Sequence, residues 1–368
     1  MSASRLEKLQ QGLRKSGLDA LALNPGASLT YLTGLQFHLM ERPVVLLLAA
    51  DAAPVIVLPE LELLKLADLS YELKAFSYGE DPAGWQAVFR QAVSSLGVDR
   101  GRIGVEPRAL RLLEYSLIHT AAPEAEYPDA TDAVGELRLH KEPGEVAAMR
   151  KAVAAAELAL QATLPQIKIG RTELEIAEEL TAQLLHNGSQ PELPFAPVVS
   201  GGPNSANPHA TPSRRPLQTG DLLVVDWGAT VDGYISDLTR TFPVGEVDPL
   251  LVKIHRVVQE ANAAGRGAAK PGAPCAAVDQ AARSVIERAG YGANFTHRTG
   301  HGIGLEAHEE PYLRSDNQSR MEPGMTFTVE PGIYLPGRAG VRIEDDVIIT
   351  DQGADCLSSI ERGWKIVG

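Results

Sequence analysis

Asp226 closes the apolar run Leu222-Leu223-Val224-Val225. Leu222 to Trp227 reads as a strand, and a carboxylate at the end of such a strand is costly to bury unless something neutralises it. That cost constrains how the chain around it can fold. Asp232-Gly233 is a hairpin signal. Centring the hairpin there sets Val231 against Tyr234, Gly228 against Asp237 and Asp226 against Thr239. Directly opposed residues share a face, and so do residues two apart on one strand. Asp226 and Asp237 therefore point the same way as diagonal neighbours. Two carboxylates on one apolar face repel unless a cation lies between them.

A second pair follows the same arithmetic. Thr326 to Tyr334 and Val341 to Ile349 read as strands joined by Pro336-Gly337-Arg338-Ala339-Gly340. A loop of that length sets Leu335 against Val341 and Gly332 against Glu344, so Glu330 and Glu344 share a face diagonally. A one-residue slip would separate them. Arg342, two before Glu344, projects to the same side. Asp345 and Asp346 read as surface or ion-paired acids.

Between the pairs lies Thr296-His297-Arg298-Thr299-Gly300-His301-Gly302-Ile303-Gly304-Leu305-Glu306-Ala307-His308-Glu309, with three of the chain's nine histidines. Its glycines allow close approach of backbone and ligand. Four carboxylates on strand-like segments plus one imidazole form the ligand inventory of a two-metal hydrolytic site. His38, His119, His140, His186 and His255 have no comparable setting and read as ordinary structural or surface residues.

The net charge of −13 disfavours nucleic acid as a partner, because a phosphate-binding surface needs a basic face and the longest basic cluster is Arg214-Arg215. Cys275 and Cys356 lack metal-ligand or CxxC spacing and read as free thiols of a reducing cytoplasm. The stretch from Met1 to Leu9 is polar and lacks a signal-peptide core. Val44 to Ala50 is too short to span a bilayer, so no membrane role is expected. There is no Gly-x-Ser-x-Gly for a serine hydrolase, and Gly302-Ile303-Gly304 lacks the third glycine of a dinucleotide loop.

The length of 368 residues suggests two domains. Leu6, Leu9 and Leu13 recur at helical spacing. Asp19–Leu23 reads as a strand broken by Asn24-Pro25-Gly26. Val44–Leu48 and Val55–Leu58 suit a hairpin, followed by helical stretches near Leu61–Leu66, Trp85–Leu96 and Leu110–Ile118. The pattern lapses from Ala125 to Val134. An α/β N-terminal domain over 1–130 and a second domain over 131–368 are expected. The second opens on an Ala-rich helix from Val146 to about Leu164, with Pro143 and Glu145 in its first turn. It also carries a weak repeat: Lys168-x-Gly170, Ile176 and Gly188 are spaced like Lys270-x-Gly272, Val278 and Gly290. Each copy precedes one carboxylate hairpin.

These residues resemble the pita-bread metallopeptidases, a family that includes methionine aminopeptidase, aminopeptidase P, prolidase and the metal-free creatinase. The resemblance implies an α+β pita-bread catalytic domain with an internal pseudo-twofold repeat, behind a creatinase-type α/β domain beginning near Tyr31-Leu32-Thr33-Gly34. The family's ligand order carries onto Asp226, Asp237, His301, Glu330 and Glu344. Asp226 would bind one ion and His301 with Glu330 the other, with Asp237 and Glu344 bridging. His209, in Ser205-Ala206-Asn207-Pro208-His209-Ala210, and His308 match substrate-contacting histidines. His297 matches the lining of the proline-side pocket. Gly233-Tyr234-Ile235-Ser236-Asp237 is of the Xaa-Pro type and adds Tyr234 to the substrate side. Thr299 stands where methionine aminopeptidases usually carry Cys. Oxygen-rich ligands suit two Mn²⁺ or Co²⁺ ions, with Zn²⁺ as the alternative. The resemblance also implies a homodimer.

The implied reaction is hydrolysis of the Xaa-Pro imide bond, with Glu330 as proton shuttle and His209 and His308 at the carbonyl oxygen. A single N-terminal domain tilts the reading to a dipeptidase (prolidase). Aminopeptidase P is the alternative, and a non-catalytic binding protein on this fold is the rival of another class. A dipeptidase needs a cation for the substrate carboxylate. Some family dipeptidases carry an arginine where this chain has Tyr312. Arg42, Arg298, Arg338 and Arg342 are the candidates, with Arg42 in Met40-Glu41-Arg42-Pro43 singled out as the clamp, from its own or a partner subunit.

Overall fold

Leu9 and Leu13 bury their side chains from the helix Ala3–Lys15, as their spacing requires. The computed structural model describes residues 3–69 and 71–368; Met1 and Ser2, at the head of the polar N-terminal stretch, lie outside them. The chain divides into two units, Met1–Arg138 and Leu139–Gly368.

The first unit holds a five-stranded mixed sheet in the order Lys74–Tyr78, Val55–Pro59, Val45–Ala49, Ala20–Leu23, Ile103–Val105. The expected hairpin is present, with Val45 opposite Val57. Four of these strands are buried end to end, which is why they read as apolar runs. Lys74–Tyr78 was not expected as a strand, because Lys74 and Ser77 dilute its apolar pattern. The unit ends at residue 138 rather than at 130. The lapse near Pro128 is only a turn. Beyond it Thr131–Leu139 is a helix whose Val134 is buried, and the Tyr31 hydroxyl donates to the Leu137 carbonyl at 2.8 Å.

The second unit opens on the expected helix, Pro143–Thr163, started by a reciprocal cap between Glu142 and Glu145. The repeat is visible in the backbone. Gly170 and Gly272 take φ of 88° and 79°, and Gly188 and Gly290 take 101° and 89°. The helices Glu173–His186 and Ala276–Arg288 lie between these glycines and bury Ile176 and Val278 completely. Each packs on the helix before it, Pro143–Thr163 in one half and Pro249–Ala268 in the other.

Each half then supplies a sheet. The first has the order Leu238–Pro243, Leu222–Trp227, Val198–Gly201. The second has the order Glu309–Leu313, Gly300–Gly302, Thr326–Val329, Asp345–Thr350, Gly353–Cys356. A bridge between Thr239 and Glu344 joins them, with the Glu344 amide donating to the Thr239 carbonyl at 3.1 Å.

The aspartate hairpin has the expected register, with Val231 opposite Tyr234 and Asp226 opposite Thr239. The glutamate hairpin is corrected. Leu335 opposes Ala339, so the loop is Pro336-Gly337-Arg338 and the pairing moves by two residues. Gly337 turns this tighter loop at φ 71°. The pairs Val329–Asp345 and Gly332–Arg342 keep one register across the bend, so Glu330 stands directly opposite Glu344. An even shift preserves the face, and the two glutamates still point together.

Candidate metal centre and active site

Asp226 and Asp237 enter from one hairpin, Glu330 and Glu344 from the other, and His301 from the short strand Gly300–Gly302. Glycine is required on that strand: a Cβ on Gly300 would lie 1.9 Å from the Thr328 carbonyl oxygen, and one on Gly302 would lie 2.1 Å from that of Glu310. His301 is buried, with Nε2 3.5 Å from Glu330 and 3.8 Å from Asp237. Its Nδ1 lies 3.1 Å from the Gly302 carbonyl oxygen, which can only accept. Nδ1 therefore carries the proton, and the Nε2 lone pair faces the carboxylates. Ligand atoms of Asp237, His301 and Glu344 all lie within 4.8 Å of one another.

The electrostatics of this cluster call for cations. Burial, then Glu344 and Asp226, hold the Asp237 carboxyl well above its ordinary range. Burial, then Glu330 and Asp226, do the same to Glu344. Glu330 is pushed up to about 7 by burial against the pull of Arg342. Burial also raises Asp226, although Arg342 opposes it. The Asp226 Oδ1 atom is buried with no hydrogen-bond partner among the described residues, while Oδ2 accepts from Arg342. Four crowded carboxylates, an orphaned oxygen and an imidazole lone pair fit two hard divalent ions. Burial lowers His301 to about 3, so it stays neutral and able to ligate.

All five ligand candidates line one cavity of about 680 Å³, together with His209, His297, Arg298, His308 and Arg342. Phe195, Ala196, Val198, Pro208 and Pro212 form its apolar wall. The His308 ring lies 4.0 Å from that of His301, centroid to centroid. His297 is held edge-on to Phe295, and its Nε2 lies 3.0 Å from the Tyr334 hydroxyl. Burial lowers His297 to about 4. Arg298 lies over the Tyr312 ring at 4.4 Å and reaches His308 Nδ1 at 3.5 Å. It has no carboxylate partner among the described residues.

The structure places the remaining expected site residues as follows. Tyr234 does not line the cavity; its hydroxyl meets Glu145 at 2.5 Å, on the first helix of the unit. Arg342 does line it, and its guanidinium also donates to Thr239, Tyr334, Asp226 and the Pro208 carbonyl. Arg338 is an exposed partner of Asp248. Arg42 forms ion pairs with Glu41 and Glu80 inside the first unit. Asp345 and Asp346 are wholly buried. Burial would raise Asp345, but Arg240 and Arg362 outweigh it and bring it down to about 2. Asp346 accepts from the Asp237 amide at 3.1 Å, so it orients a ligand strand.

Sequence reasoning missed Tyr334 and Thr239. Both were reachable by alternation. Tyr334 lies four after Glu330, and Thr239 was already set against Asp226; its hydroxyl donates to Glu344 at 2.6 Å.

Residues 147–351 match metallopeptidase family M24, and residues 5–140 match the creatinase/prolidase N-terminal domain. The chain belongs to metallopeptidase family M24. It is therefore a hydrolytic enzyme of a family built on dinuclear metal centres. This M24 chain is 39% identical over 360 residues to a probable dipeptidase, PepE, of Mycobacterium tuberculosis, covering 96% of this chain and 93% of that one. It is 34% identical to an Xaa-Pro dipeptidase of Lactobacillus delbrueckii subsp. lactis, covering 98% of each. Its fold superimposes on the crystal structure of a prolidase from Thermococcus sibiricus with a TM-score of 0.94, at 30% identity and with 100% of both chains covered. The creatinase-type and pita-bread units expected from the motifs are thus both present. Among the described residues no helix is long and apolar enough to cross a membrane.

Proposed function

We propose that this M24 enzyme is an Xaa-Pro dipeptidase that works in the cytoplasm as a homodimer. The observation that carries the dipeptidase reading is Arg298: a cation on the cavity wall, beside His308, with no acid of its own among the described residues. A substrate carboxylate just beyond the proline ring would be its natural partner, held by a planar fork. The similarity to chains named Xaa-Pro dipeptidase and prolidase supports the same reading.

The chain's residues divide the work. Asp226, Asp237, His301, Glu330 and Glu344 would hold two ions, with manganese or cobalt best suited to four carboxylates and one imidazole. When bound, such ions supply Lewis acidity that polarises a carbonyl and lowers the pKa of a water. His209 and His308 donate hydrogen bonds to the scissile carbonyl oxygen as it gains charge. Glu330, a carboxylate on the wall of the same cavity, would take up and return the proton. His297, kept neutral, packs against the proline ring. Arg298 grips the carboxylate.

Rates on Ala-Pro and Ala-Pro-Ala with added Mn²⁺ test the proposal. Faster turnover of the dipeptide, lost selectively in Arg298→Ala, is expected. Faster turnover of the tripeptide would make the enzyme an aminopeptidase P. No hydrolysis of either by a metal-loaded protein would leave a binding protein.

A further inference from the structure

Glu173 is fully buried, yet among the described residues no base pairs with it directly. It is the first residue of the helix Glu173–His186, where a negative charge is favoured by the helix dipole. Its carboxylate accepts hydrogen bonds from three places on one loop. The Gly201 amide donates at 2.7 Å, the Asn204 side-chain amide at 3.0 Å to both oxygens, and Ser213 through its amide at 3.0 Å and its hydroxyl at 2.6 Å. The loop between Gly201 and Ser213 presents His209 to the cavity.

The rest of that loop is held too. Ser205 accepts from the Gly340 amide at 2.8 Å, Asn207 accepts from the His209 amide at 3.2 Å, and the Pro208 carbonyl accepts from Arg342 at 3.2 Å. Glu173 gathers the two ends, and Arg342 fixes the tip. The other half of the repeat has a parallel device. Asp279, also fully buried and also on the second helix of its half, accepts from the Thr299 amide at 3.1 Å and hydroxyl at 2.8 Å, two residues before His301. In each half, a buried carboxylate on the same helix anchors the segment that presents a histidine.

We infer that Glu173 is a positioning residue for His209: its charge sets the loop so that the imidazole meets the substrate carbonyl. The inference rests on the role of His209 proposed above. Every hydrogen bond to Glu173 points inward, so a carboxamide must turn its own N–H groups against donors. A displacement of His209 by about 1 Å is enough to lower the rate on the order of 10–100-fold.

The test is a double-mutant cycle on the manganese-loaded enzyme with Ala-Pro. Glu173→Gln should lower kcat by about 10–100-fold with metal content at the parent value, and Glu173→Gln/His209→Ala should be no slower than His209→Ala alone. Ser213→Ala, which keeps the charge and removes one donor, should give a smaller loss that also vanishes in the His209→Ala background. It decides the matter where Glu173→Gln does not fold. Effects that multiply, or full activity of Glu173→Gln, would overturn the inference while leaving His209 in its role. Full activity of His209→Ala would sink both.

Discussion

Arg342 donates to the Asp226 carboxylate at 2.5 Å, although the two lie 116 positions apart. They sit on hairpins from different halves of the repeat, so this contact ties the halves together at the metal centre. Arg342 also donates to the Tyr334 hydroxyl at 3.0 Å, which lies 3.0 Å from His297 Nε2. One guanidinium thus orients a metal ligand and a pocket histidine. Arg342→Ala should weaken metal binding about 10–100-fold, the usual effect of removing a ligand's outer partner. It should also destabilise the metal-free protein by about 3–5 kcal/mol by breaking a buried pair. Metal titration calorimetry and thermal unfolding read the two effects separately.

His209→Ala and His308→Ala should each lower kcat by about 10²–10³ with metal content unchanged. Neither histidine belongs to the Asp237, His301 and Glu344 cluster. Loss of metal from either variant would make that residue a ligand. Asp237→Ala or Glu344→Ala, in contrast, should abolish both metal binding and activity while circular dichroism stays near native.

Stability should depend on pH in a way that added metal reverses. Burial raises the Glu330 carboxyl to about 7, and it holds Asp237 and Glu344 well above the ordinary range. Groups with raised folded-state values stabilise most when protonated, and that contribution is lost as pH rises through the folded value. The Tm of metal-stripped protein should therefore fall between about pH 6.5 and 8.5. His255, His297 and His301 are lowered to about 4, 4 and 3, so they stay neutral in the folded protein throughout that window. Their opposing contribution comes from the unfolded imidazoles, at about 6.5, and is confined to its acid edge. Saturating Mn²⁺ should raise Tm more at the alkaline end. A Tm that climbs with pH in the stripped protein would contradict this.

Arg298 and Arg42 separate on substrate length. Arg298→Ala should raise KM for Ala-Pro at least about tenfold, the scale of one charge-assisted hydrogen bond, and change little for Ala-Pro-Ala. Arg42 is engaged by Glu41 and Glu80, so Arg42→Ala should leave both substrates near the parent value. A dipeptide-specific loss in Arg42→Ala would return the clamp to that residue.

Gly228 marks the tightest point of the aspartate hairpin. A Cβ there would lie 2.0 Å from the Ser236 carbonyl oxygen. Gly228→Ala should part the strands beside Asp226 and Asp237, with loss of metal affinity and a lowered Tm. Parent-like metal content and Tm would show that the hairpin yields at this point.

Alternation and turn chemistry, which depend only on nearest neighbours along the chain, were enough to bring Asp226 to Thr239 and to aim each carboxylate pair at one face. The histidine cluster was equally plain, because its glycines must sit where backbones nearly touch. The glutamate register was misjudged by two residues, since a tighter loop at Gly337 competes with a longer one and local residues hardly distinguish them. The domain limit was missed for a similar reason: a turn at Pro128 looks like a linker until the next helix is seen to bury Val134. What only the tertiary structure decided was the company each charge keeps. Arg342 was on the right face, but that Asp226, Thr239, Tyr334 and Pro208 would occupy it depends on two distant hairpins meeting. Asp345 read as a surface or ion-paired acid; it is ion-paired, but its burial depends on Arg240, more than a hundred residues away. Periodicity sets which way a side chain points, and it carries no record of which distant group it will meet there.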